Sequence, residues 1–186
     1  MISIIAKNLL KLPLIERAQT VAYFCHLGQT RKYTHLPYIT HPFRVAKIIQ
    51  DLFYTEAYVA AAYLHDTIED CHISAEEFAE IFNPDICKLV VELTNVYTKD
   101  KCPSFNRKKR KELELTRIAG ISPQAKVIKL ADRLDNLLEI EGAEPDFKLL
   151  YCDETEVLLS VIGNAYHELA ARIRIKINEI REEASL

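Results

Sequence analysis

The sequence predicts an all-α protein, and three observations carry that reading. Apolar residues recur at intervals of three and four through most of the chain. No strand-like alternation runs for any length, and no internal repeat or low-complexity tract interrupts the pattern. With only four glycines and seven prolines in 186 residues there is little material for flexible linkers. A chain of this length supports one domain with a sizeable core. We therefore expect a single all-α domain over residues 1–186, a compact bundle of about eight to ten helices.

The elements follow in order. In PLIERAQTVAYFCHL, Leu14, Ile15, Ala18, Val21, Ala22 and Cys25 mark the inner stripe of a first helix. Pro42 suits the first turn of a second, continued by Val45, Ile48, Ile49 and Leu52. A third runs from about Thr55 to Glu69 and is apolar almost all round, through Ala57, Val59–Ala62 and Leu64. That pattern belongs to a central, buried helix. Ser74 and Glu77 stand at capping-box spacing in SAEEFAEIF. Asn83-Pro84 and Ser122-Pro123 each join a cap to an N1 proline, opening DICKLVVELTNV and QAKVIKLADRLDNLLEI. A last helix, from about Asp153 to Glu179, places Leu158, Val161, Ile162, Ala165, Leu169, Ile173, Ile177 and Ile180 on one side. Two basic segments, TRKYTHLP (30–37) and YTKDKCPSFNRKKRKE (97–112), lie between helices.

Composition excludes several function classes. A net charge of −3 gives no global pull towards nucleic acid or an anionic membrane, though a local basic pocket or a metal can still attract phosphate. The five scattered cysteines contain no CxxC pair, so neither a zinc ribbon nor a disulfide framework is indicated. Reduced thiols in a cytoplasmic protein are the simplest reading. The N-terminal MISIIAKNLLKL lacks the basic region and cleavage pattern of a leader. No apolar run reaches the roughly 18–20 residues of a membrane span. We expect a cytoplasmic protein with neither nucleic-acid nor membrane partners. The helical stripes can be satisfied within one chain or between two, so oligomeric state stays open.

The chemistry concentrates in AAYLHDTIEDC, where His65, Asp66, Glu69 and Asp70 close an otherwise apolar helix. Residues four apart share a helix face, so His65 is expected over Glu69 and Asp66 over Asp70. Imidazole and carboxylate together suit a divalent cation. Two ligands hold a cation loosely, and two further candidates are His41, just before Pro42, and Asp132, in KLADRLDNL at the edge of an apolar face. On that helix Asp132, Asp135, Asn136 and Glu139 form a polar stripe. As bland readings, each of these residues is an ordinary capping or solvated side chain. The run NRKKRK (106–111) reads as a solvated helix face, with a phosphate-attracting rim as the functional alternative.

The order His41, His65-Asp66, Asp132 resembles the HD superfamily of metal-dependent phosphohydrolases. PYITHPFRVA, AAYLHDTIEDC and KLADRLDNL are similar to the hydrolase domain of RelA/SpoT-type enzymes, and particularly to single-domain small alarmone hydrolases of the Mesh type. The resemblance implies an α-helical HD-domain bundle that removes the 3′-pyrophosphate of (p)ppGpp, a guanine nucleotide, to give GDP or GTP and pyrophosphate. It implies a Mn²⁺ ion, or another divalent transition metal, on His41, His65, Asp66 and Asp132. Glu69 and Asp70 are implied to act on the attacking water, and Arg31, Lys32 and Asn136 to hold the nucleotide. Two departures stand out: Tyr33-Thr34-His35 follows Lys32 where many relatives have Asp-Gly or Ser-Gly, and Asp135 replaces a residue often His or Tyr. They keep open an HD phosphohydrolase for another nucleotide. The rival of a different class is a non-catalytic nucleotide-binding module.

Overall fold

Side-chain caps from Ser74, Asn83, Asn106 and Ser122 set four of the helix starts. The computed structural model describes residues 7–52, 55–71 and 73–184, so the first six residues of the N-terminal stretch lie outside it. Ten α-helices lie wholly within the described residues, and no strand does; the only extended pairing is an isolated bridge between Thr30 and Pro37. They are α1 Leu14–Cys25, α2 Thr40–Leu52, α3 Glu56–Leu64, α4 Thr67–Asp70, α5 Ala75–Ala79, α6 Pro84–Leu93, α7 Arg107–Ala119, α8 Pro123–Glu139, α9 Pro145–Ile162 and α10 His167–Glu183. The Ser74–Glu77 capping box forms in both directions ahead of α5. Asn83 and Ser122 cap α6 and α8 with Pro84 and Pro123 in the first turn.

The chain divides into two compact units. The first holds the residues up to Arg31 and His35–Thr94, hence α1 to α6. Its centre is α3, against which α1, α2 and α6 pack. Val59 to Leu64 are all buried, and Ala60, Ala61 and Ala62 are completely so, which lets neighbouring helices approach closely. Arg17 fastens the entry to α1 by donating to the carbonyls of Leu9, Leu10, Leu12 and Ile81.

The second unit holds Lys32–Thr34 and Asn95–Leu186, hence α7 to α10. Its centre is α8, which contacts α9 and α10. Val127, Leu130, Ala131, Leu134 and Leu137 are buried on its apolar face, as are Ile128, Lys129, Asp132, Asp135 and Glu139, whereas Leu138, placed on that face by its spacing, is 47% exposed. The polar stripe of α8 is therefore internal rather than solvated. Buried Glu114 of α7 accepts the backbone amides of Val96 and Tyr97 at 3.1 Å each and Arg117 Nε at 2.7 Å. Gly142 leaves room for Tyr33: a Cβ there would stand 3.4 Å from the Tyr33 backbone oxygen.

Three boundaries differ from expectation. The helix foreseen from Thr55 to Glu69 breaks at His65–Asp66, because Thr67 Oγ1 donates to the Leu64 carbonyl at 2.7 Å and a new short helix begins. The last helix is two, α9 and α10, separated by a 3-10 turn at Gly163–Ala165. His41 sits inside the first turn of α2 rather than ahead of it.

Candidate functional site

In the first unit three donor atoms meet, two from the helix break at His65–Asp66 and one from His41 in the first turn of α2. His65 Nδ1 donates to the Ala62 carbonyl at 2.7 Å, which assigns the proton to that nitrogen and leaves Nε2 with a lone pair. His65 Nε2 lies 3.2 Å from His41 Nε2 and 3.1 Å from Asp66 Oδ2, and His41 Nε2 is 3.5 Å from the same oxygen. Both imidazoles are 1% exposed and the Asp66 side chain 16%. Two imidazole nitrogens and a carboxylate oxygen this close are a donor set that fits a divalent transition metal.

Tyr38, one turn before His41, is the residue that motif reading passed over. Its hydroxyl donates to Asp66 Oδ2 at 2.8 Å. Partial burial, then the negative charges of Asp66 and Asp70, push its phenol far above the usual range, so it stays a donor. The ring lies 4.8 Å from buried His26 and 5.8 Å from His41. The signal was present in PYITHP, yet only the fold reveals that the hydroxyl meets Asp66.

Asp70 keeps its backbone amide on the Asp66 carbonyl at 2.9 Å, so these two acids remain one turn apart despite the break. Its carboxyl is pushed up to about 6, first by partial desolvation and then by the charges of Asp66 and Glu69. Glu69, half-buried, precedes it on α4. Cys71 donates its thiol to the Cys25 carbonyl at 3.1 Å, and all five cysteines are free.

Asp132, the fourth foreseen ligand, belongs to the second unit. Its carboxylate accepts Asn136 Nδ2 at 2.5 Å and faces Lys129 Nζ at 3.0 Å. Asp132 and Asn136 line a cavity of about 650 Å³ within this unit, together with Lys129, Arg133 and Tyr151. Arg107, Lys108 and Lys111 line it too, so part of NRKKRK faces a cavity instead of open solvent. Lys129 opens the motif KLADRLDNL, but a lysine on a helix carries no spacing signal that sets it apart from a solvated one; Tyr151 falls where the family resemblance places a substrate-lining aromatic.

Of the two residues foreseen to hold the nucleotide, Arg31 belongs to the first unit and Lys32 to the second. Arg31 places its guanidinium 5.2 Å from the Tyr38 ring centre in the first unit. Lys32 places its ammonium 4.9 Å from Tyr33 and 5.7 Å from Phe147 in the second. Asp135, suspected of altering the substrate site, is 1% exposed and is not among the cavity-lining residues.

Comparison with known proteins agrees with the geometry. A family model described as HD domain matches residues 18–172. A Drosophila melanogaster protein named guanosine-3′,5′-bis(diphosphate) 3′-pyrophosphohydrolase MESH1 is 39% identical over 127 residues, which cover 67% of this chain and 68% of the relative. A Brucella abortus protein named GTP pyrophosphokinase rsh is 34% identical over 174 residues, 91% of this chain but only 21% of its own length. The chain thus spans about a fifth of that longer relative. Among solved structures, one titled as a metazoan ortholog of SpoT that hydrolyses ppGpp superposes with a TM-score of 0.76 at 29% identity, covering 92% of this chain and 96% of the other. A Listeria monocytogenes structure with a TM-score of 0.59 at 20% identity, covering 75% of this chain and 97% of the other, agrees in fold alone.

Proposed function

The chain belongs to the HD domain family, and on that premise we propose that it hydrolyses the 3′-pyrophosphate of (p)ppGpp to GDP or GTP and pyrophosphate, lowering alarmone levels in a stringent response. The observation that carries the reading is the convergence of His41, His65 and Asp66 donor atoms within 3.5 Å, with Glu69 and Asp70 following on the next helix. The names of the fly relative and the metazoan structure support this substrate. The family match over residues 18–172 supports one catalytic domain across residues 1–186.

The HD domain works with a divalent metal ion, and we take manganese as the ion here. His41, His65 and Asp66 would hold it, and Asp132, last in the order H…HD…D, is our fourth ligand. A bound divalent cation would supply a water of lowered pKa and neutralise phosphate oxygens. The chain's own groups do the rest. Tyr38 fixes the rotamer of Asp66 through its hydroxyl. The Ala62 carbonyl fixes the tautomer of His65. Asp70, its carboxyl near 6, accepts a proton from the attacking water at neutral pH, and Glu69 orients that water. Water oxygen bonds to the phosphorus on O3′ as the P–O3′ bond breaks, and O3′ leaves, taking a proton from solvent to end as a hydroxyl while the proton on Asp70 returns to solvent. Asn136 positions the nucleotide beside Asp132, while the Arg31 guanidinium stacks on its base and the Lys32 ammonium meets phosphate or carbonyl oxygens.

Three further observations bear on context. No helix of the described residues is long and apolar enough to cross a membrane. Five free thiols support a reducing, cytoplasmic setting. Asp135 is buried on the helix that carries Asp132 and Asn136, and with the Tyr33-Thr34-His35 loop it keeps the alternative of another nucleotide open. The test is metal analysis of the purified protein together with product identification from ppGpp. We expect pyrophosphate and GDP in equal amounts. Turnover of another nucleotide with none from ppGpp would overturn the reading.

A further inference from the structure

Two cysteines of the first unit bring their thiols together behind the acids of α4. Cys25 is the last residue of α1. Cys71 caps the four-residue α4 directly after Asp70, with its amide on the Thr67 carbonyl at 3.1 Å. The Cys71 thiol donates to the Cys25 carbonyl at 3.1 Å, and the two thiols hydrogen-bond each other. Both side chains are half-buried, within reach of a small solute.

His26 completes the cluster. Its ring is 2% exposed, and Nδ1 gives its proton to Gln29 Oε1 at 2.8 Å while facing Cys71 Sγ at 3.7 Å. Nε2 is buried with no hydrogen-bond partner among the described residues. An imidazole N–H beside a sulfur favours the thiolate. The same ring packs 4.8 Å from Tyr38, whose hydroxyl holds Asp66.

These contacts sort the thiols by reactivity. The hydrogen bond from Cys71 pulls the Cys25 thiol below its ordinary value, against burial. Burial pushes the thiols of Cys87 and Cys152 up. The thiolate is the nucleophile, so Cys25 is favoured over both. Cys71, raised first by its bond to Cys25, keeps its proton until Cys25 has reacted.

We propose that Cys25 and Cys71 are an oxidation site for peroxides, closing to a reversible disulfide that draws Asp70 away from the attacking water. The effect on turnover rests on the pyrophosphohydrolase reading above; the bond itself does not. Cys25, its proton lost to solvent, attacks one peroxide oxygen. The O–O bond breaks, and the other oxygen takes up a proton and leaves as alcohol or water. The Cys71 sulfur then displaces the hydroxyl of the resulting sulfenic acid, which departs with the Cys71 proton as water. The thiol pair gives up two electrons, and the peroxide accepts them. Bonded sulfurs stand closer than hydrogen-bonded ones, so Cys71 moves towards α1 and takes the end of α4 with it.

The test is peroxide treatment of the whole protein, then peptide mapping without reductant and, once peroxide is removed, turnover of ppGpp with Mn²⁺. We expect a cross-linked peptide pair holding Cys25 and Cys71. Turnover should fall about tenfold or more, since misplacing a reacting group by about 1 Å costs up to about 100-fold. A dithiol should break the cross-link and restore the rate. Cys25→Ser and Cys71→Ser, each keeping a hydroxyl donor, should form no cross-link and hold their own rates through peroxide. Absence of the peptide pair, a rate unchanged by complete cross-linking, or equal inactivation of Cys71→Ser overturns the proposal. A reduced protein that releases no pyrophosphate from ppGpp loses the functional reading, and the peptide map alone then decides whether the two thiols bond.

Discussion

Replacing Tyr38 by Phe removes one oxygen and leaves the ring. That oxygen donates to Asp66 Oδ2 at 2.8 Å, the atom that also lies 3.1 Å from His65 Nε2. A hydrogen bond to a charged acceptor contributes about 1.5–3 kcal/mol, and loss of such an outer partner weakens metal binding roughly 10- to 100-fold. The ring contacts with His26, His41 and Arg31 are available to Phe as well, so packing should persist. The assay is competition for Mn²⁺ against a fluorescent chelator, with circular dichroism as the control for folding. We expect the Mn²⁺ dissociation constant to rise 10- to 100-fold with unchanged helicity, and turnover to recover at high metal. A dissociation constant within twofold of wild type, in a well-folded variant, would refute the idea that Tyr38 orients a ligand.

Asp70 must be ionised to accept a proton, so with its carboxyl near 6 the wild-type rate should fall about tenfold per pH unit below that value. Asp70→Asn should lower the rate about 100-fold or more and flatten that limb; an unchanged limb contradicts the assignment. Chelation should abolish hydrolysis and lower the melting temperature. Metal at a hundred times its dissociation constant stabilises by about 2.7 kcal/mol, and His65→Ala should show no metal-dependent shift. Glu114→Ala strands two amides and the Arg117 guanidinium, and we expect a loss of about 3 kcal/mol in urea unfolding. A loss below about 0.5 kcal/mol would mean that water replaces the carboxylate.

Local signals were legible and long-range ones were not. Ser74, Asn83 and Ser122 cap the helices that their spacing announces, because a cap is decided within four residues. The buried run of α3 was equally plain, since no polar residue interrupts Val59–Leu64. The break at His65–Asp66 was hidden: apolar periodicity continues past it, and only the Thr67 hydroxyl on the Leu64 carbonyl marks the turn. Likewise Gly163 was the sole hint that α9 and α10 are separate. At the site, the donor atoms of His41, His65 and Asp66 lie within 3.5 Å of one another, a distance that motif order alone does not encode. Tyr38 and Lys129 enter through contacts with a residue far along the chain and with one a turn away, which composition and spacing do not encode.

The alanine run at positions 60–62 has a consequence for anyone redesigning the protein. With no exposed surface and the Ala62 carbonyl serving as the rest for the His65 ring, this stretch works as a spacer whose thickness sets the depth of the imidazole. A single added methyl group there has nowhere to go and would displace the ring instead of filling a void. Altered substrate preference is better sought at Leu150 and Val157, whose side chains border open space and carry no part of the ligand geometry.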